Sequence, residues 1–187
     1  MRFLLPILLA LLLPTTAAFA QIPKVSLTTK LVDTLPKPTN EERRESRDKK
    51  KNVVAEKERQ MVSAAIRNVS RQEFPGAVAK FYFFGRTVGE PSLQLLDQDE
   101  KPAAIGAGAT VTVESKSVEA TYTPTHTTKE GDKSVHFKAA GTRITGHGVR
   151  VMDGDVLLGE FFTSTDGKTL ADGKGPPAGA PAATNTH

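Results

Sequence analysis

The chain is 187 residues long, has neither cysteine nor tryptophan, and carries 25 Lys and Arg against 21 Asp and Glu. Without cysteine there is no disulfide and no N-terminal lipid-modified cysteine, so a folded domain of this length must rest on one hydrophobic core. The mild basic excess is interleaved with acids and accompanied by no nucleic-acid motif, which argues against nucleic acid as a partner.

Residues Met1 to Ala20 combine one basic residue, Arg2, an apolar run from Phe3 to Leu13, and the sequence Ala18-Phe19-Ala20. This is the pattern of a secretory signal peptide, so residues 1–20 are excluded from fold reasoning and Gln21 is the expected mature terminus. The apolar run is short for a membrane span and is broken by Pro6, and no later segment resembles one. The expected location is therefore the periplasm, the outer surface or the medium.

Lys24 to Val32 alternates, with Val25, Leu27 and Leu31 on one side, and predicts a first strand. Residues 40–60 are then dominated by charges of both signs. Thr39 with Glu42 fits a capping box, and the segment is expected to be a charged inter-strand excursion, helical in part at most. Met61 to Asn68 predicts a second strand with Val62, Ala64 and Ile66 inward; Asn68-Val69-Ser70 matches the N-glycosylation pattern, a frequent coincidence.

The aromatic stretch Gly76 to Arg86 is the expected centre of a sheet. Side chains alternate across a strand, so Ala77, Ala79, Phe81 and Phe83 share one face, predicted buried. Val78, Lys80, Tyr82 and Phe84 share the other. That face reads first as core, and otherwise as a partner-binding surface of Lys80, Tyr82 and Phe84 with Arg86 at the rim. Ser92 to Leu96 predicts a short strand and Asp97-Gln98-Asp99-Glu100 a turn; the acids lack the glycine and distal glutamate of a calcium loop. Gly106-Ala107-Gly108 lacks the Lys and the following helix of a phosphate loop.

Strands are expected at Thr110 to Val113 and Val118 to Tyr122. A polar loop follows, and then a strand with Val135, Phe137 and Ala139 on its apolar side. Asp153-Gly154-Asp155 between two apolar runs marks a hairpin. Residues 166–187, rich in Gly, Pro and Ala, are expected to form a disordered tail.

No G-x-S-x-G or H-E-x-x-H is present. His136 and His147 with a nearby acid could meet across strands as a zinc site, but surface imidazoles are the simpler reading. The expectation is a non-enzymatic protein without cofactor or metal. The fold class expected is all-β, an immunoglobulin-like two-sheet sandwich of about seven or eight strands over residues 21–165.

Phe81-Tyr82-Phe83-Phe84-Gly85-Arg86 and Gly146-His147-Gly148-Val149-Arg150-Val151 resemble segments of small exported verrucomicrobial proteins, a group with Akkermansia-type immunoglobulin-like fimbrial members associated with type IV pili. The resemblance covers about Val25 to Ser164. It implies a cell-surface or pilus-associated module used in adhesion or assembly, with protein partners in the envelope or pilus, or an extracellular host glycoprotein. The ordinary A-x-A leader differs from a type IV pilin leader, which implies an accessory component and not the shaft subunit. The alternative is a soluble periplasmic or secreted module that binds a glycan, peptide or enzyme.

Overall fold

The computed structural model describes residues 23–35, 56–130 and 133–174. The expected signal peptide, most of the charged excursion (residues 40–55) and the tail from residue 175 lie outside the described residues.

The chain is all-β and sandwich-like. Among the described residues its elements run β1 (Val25–Asp33), β2 (Glu56–Asn68), β3 (Ala77–Thr87), β4 (Gln94–Pro102), β5 (Thr110–Glu114), β6 (Val118–Thr123), β7 (His126–Glu130), β8 (Lys133–Phe137), β9 (Ala140–Asp153), β10 (Val156–Phe162) and one helix, α1 (Thr165–Ala171). Eight strands form one antiparallel sheet folded over on itself. In one half β2 pairs with β1 along one edge and with β5 and β6 along the other. In the other half the order is β4, β3, β9, β10.

Strand β9 joins the halves: Ala140 and Gly141 pair with β6, and Thr142 onward pairs with β3. Gly141 sits at this crossing with φ 101°. A Cβ there would run into the Thr121 carbonyl, so both the backbone angle and the close approach call for glycine. At the opposite side the halves are tied by Lys24 N–H donating to the Leu158 carbonyl at 2.8 Å.

The inward faces supply one core. Val62, Ala64 and Ile66 of β2 meet Ala77, Ala79, Phe81 and Phe83 of β3, with Val149 and Val151 of β9 and Leu158 of β10. The alternation predicted for β2 and β3 is thus the one observed. Burying each such aromatic or aliphatic side chain contributes about 1.5–3 kcal/mol. The β9–β10 hairpin turns at Gly154, whose φ of 57° suits glycine.

Several expectations are corrected. Asp97 to Glu100 does not turn the chain but continues edge strand β4. Its charges are matched instead: Glu100 pairs with Lys80 at 2.9 Å, Asp97 accepts from Lys116 Nζ at 2.9 Å, and Asp99 accepts from the Lys116 backbone N–H at 2.7 Å. Such charged side chains also blunt an exposed edge against strand addition. β2 begins at Glu56, so residues 56–60 of the charged excursion are strand and not helix. There Arg59 pairs with Glu119 of β6, and Glu58 accepts from Arg143 Nε at 3.0 Å.

The expected polar loop contains a strand, β7, which pairs with β8, the strand expected around Val135 and Phe137, in a separate two-stranded hairpin. Phe137 does not join the core there; it is 42% exposed and stacks on His126 at 4.8 Å. The tail boundary at residue 166 is also wrong. Ser164 caps α1, its hydroxyl accepting from Gly167 N–H at 3.1 Å, and α1 docks on the sheet. Asn68 is fully buried, its amide donating to the Gln72 and Gly106 carbonyls at 2.7 and 3.0 Å. That bonding makes it a structural knot between two turns and unsuited to carrying a glycan.

Candidate binding face

Strand β3 has two faces, and the outer one carries Val78, Lys80, Tyr82 and Phe84. In register across β9 stand Arg150 opposite Lys80 and Gly148 opposite Tyr82. Across β10 follow Glu160 opposite Arg150 and Phe162 opposite Gly148. Gly148 lacks a side chain where the ring of Phe162 lies; a Cβ there would collide with it. The ring therefore folds inward over the gap, 5.8 Å from Tyr82 and 6.3 Å from Phe84 between centroids. Arg150 stacks its guanidinium over Phe162 at 5.0 Å and Tyr82 at 5.8 Å, an arrangement that attracts through the ring quadrupole.

Helix α1 covers this cluster. Gly167 is buried directly against the ring of Phe84, where a Cβ would approach to 2.9 Å. Asp172 accepts from Arg150, and Lys168 donates to Glu160. Arg150 also donates through Nε to Glu160 at 3.0 Å. Burial opposes the charge on Arg150, yet the hydrogen bonds to Asp172 and Glu160 outweigh it and hold its pKa above the usual value. Burial likewise opposes charge on Glu160, but Lys168 and Arg150 hold its carboxyl below the ordinary range. The hydrogen bond from Arg150 lowers Asp172.

The four residues singled out in the sequence thus part company. Tyr82 is 8% exposed beneath Phe162 and Arg150, and Phe84 is fully buried beneath Phe162 and Gly167 of α1, so neither offers free area to a partner in this arrangement. Lys80 is half-buried and bound to Glu100, a bond that raises its pKa. Arg86 is exposed beyond Gly85, in register with Arg143. Backbone register irregularities beside Phe84 in both flanking ladders separate Arg86 from the regular alternation of the strand.

Sequence reasoning missed Arg150, Phe162, Glu160, Lys168 and Asp172. A signal was present: Ser164 followed by Asp166 is a helix start, with an acid in the first turn.

His136 and His147 are not brought together. His136 lies on the β7–β8 hairpin, hydrogen-bonded to Thr127 at 2.7 Å. His147, expected at the surface, is 7% exposed on the inner face of β9, hydrogen-bonded through Nε2 to Thr29 Oγ1 at 2.9 Å and against Phe161. Burial lowers its pKa below the usual imidazole value. Among the described residues no three His, Asp or Glu side chains stand close enough to hold a metal ion.

A concavity of about 480 Å³ lies between β4, β6 and the start of β9, lined by Leu96, Val118 and Ala120 together with Asp97, Glu119 and Thr142. β6 pairs with β9 only at Tyr122 and Thr123, so its Val118 to Thr121 edge borders this groove. Comparison of the chain with protein-family models and with curated proteins gives no match.

Proposed function

We propose that this chain is an exported, non-enzymatic cell-surface module of the pilus-associated, fimbrial accessory kind, acting in adhesion or assembly by binding a protein of the envelope or pilus. The observation that carries this reading is the placement of Tyr82, Phe84, Phe162 and Arg150 on the outer side of the sandwich. The core closes on the inner side with Phe81 and Phe83, so the outer cluster exceeds what the two-layer core requires. Aromatics with an arginine are the residues that most often dominate binding energy at interfaces. The signal-like N-terminus and the resemblance in Gly146 to Val151 support an envelope address.

A soluble binder of a peptide or glycan is the second reading, favoured by the groove beside the unpaired Val118 to Thr121 edge of β6. An extended peptide could add there as a strand, as in other edge-binding modules. A pull-down from native envelope with the chain from Gln21 to His187 separates the two. Recovery of an envelope or pilus protein supports the surface module; a chain that stays monomeric in the soluble fraction and captures none contradicts it.

A further inference from the structure

The covering of the outer face is slight for what it hides. α1 is seven residues long and has Gly167 in its first turn. A helix so short does not persist without its docking contacts, and glycine weakens it further. It is seated through Gly167 on the ring of Phe84, through half-buried Leu170 and the helix's packing on β4, β9 and β10, and through two ion pairs, Asp172 with Arg150 and Lys168 with Glu160. Lys168 is 47% and Asp172 29% exposed at the side chain, so water competes for both pairs. Beneath, by contrast, Phe84 is buried completely and belongs to a sheet held by the longest ladder among the described residues, between β3 and β9. The cover opens at far lower cost than the surface it covers.

What α1 leaves behind has a defined chemistry. Tyr82, Phe84 and Phe162 form an apolar floor, with Arg150 and Glu160 standing side by side at its margin. α1 satisfies that pair with a base and an acid four residues apart, Lys168 and Asp172, one helical turn along its face. We propose that α1 is a displaceable strap occupying the docking site of a partner's short amphipathic helix, one that carries a small residue for Phe84 and, a turn apart, a base for Glu160 and an acid for Arg150. The proposal rests on the outer face being the binding face and names the occupant that face accepts. In the resting chain the strap hides an aromatic patch that would otherwise invite non-specific association. A partner must displace it, so apparent affinity falls by the fraction of time the strap is seated.

The test uses the full chain and a labelled peptide of residues 163–174, with a control peptide in which the positions of Lys168 and Asp172 are exchanged. In the variant Lys168→Glu with Asp172→Lys, the strap repels Glu160 and Arg150 while the sheet is unchanged. The expected result is rapid amide exchange across residues 165–171 with β3 and β9 still protected, and peptide binding to the variant at least about tenfold tighter than to the parent chain. The control peptide binds neither. Continued protection of α1 in the variant would overturn the proposal, as would a released α1 with no peptide binding or with equal binding of the control. No envelope component enters this assay, so a strap that works here while the envelope pull-down recovers nothing refutes the envelope reading alone, and the converse refutes the strap alone.

Discussion

The two outer faces of the sandwich are built from the same alternation and end up unlike. On the β1–β2–β5 side the outward positions are mostly polar, Ser26, Thr28 and Lys30 of β1, Ser63 and Arg67 of β2 and Thr112 of β5, with Met61 and Ala65 among them, all exposed or half-buried. On the β3–β9–β10 side they include the charged Lys80 and Glu160 but also Tyr82, Phe84, Arg150 and Phe162, the cluster against which α1 docks. The first is what a half-solvated antiparallel sheet needs. The second holds apolar area that only a third layer can bury, and the chain supplies that layer with one short helix.

The contrast can be broken by substitution. Phe81→Ala or Phe83→Ala, in the shared core, is expected to cost about 3–5 kcal/mol, read as a large fall in melting temperature. Phe84→Ala falls at the low end of that range, about 3 kcal/mol, because α1 above it is free to settle into the space. An equal or larger loss than at Phe81 would show the outer layer to be as rigid as the core. Gly148→Val forces the Phe162 ring off the sheet and is expected to cost about 1–3 kcal/mol, with α1 amides losing protection first in hydrogen exchange.

Acidity provides a milder probe of the sandwich edge. The folded protein lowers the His147 pKa, so the unfolded chain takes up the proton first. Stability is fully present above the ordinary imidazole value, about 6.5, and declines as pH falls from there through the lowered folded value. Melting temperatures between pH 7.5 and 5 check this, and His147→Gln should flatten the slope. The smallest effect belongs to the uncovered face: Thr112→Ala should stay within about 0.5 kcal/mol of the parent.

The fold was readable where period and burial agree. Val62, Ala64 and Ile66, and Ala77 through Phe83, alternate in the sequence and in the structure because a strand buried on one face imposes a period of two. The hairpin at Gly154 was readable from turn chemistry. Asp97 to Glu100 misled because acids disfavour strands on average, and of the cations that neutralise them only Lys101 is local; Lys80 and Lys116 are distant in sequence. The outer site was half readable. Tyr82 and Phe84 were visible as a pair, but Arg150, Phe162 and Asp172 join them only through the β9–β10 register and the docking of α1. Neither is a local property.

The central claim is that partners engage the aromatic outer face and not the polar one. Parallel envelope pull-downs test it, one with a chain carrying Phe162→Ala and Arg150→Ala, the other with Lys30→Glu and Arg67→Glu on the opposite face, each confirmed folded by its melting curve. Capture is expected to be lost in the first and kept in the second. Capture kept in the first and lost in the second would contradict it.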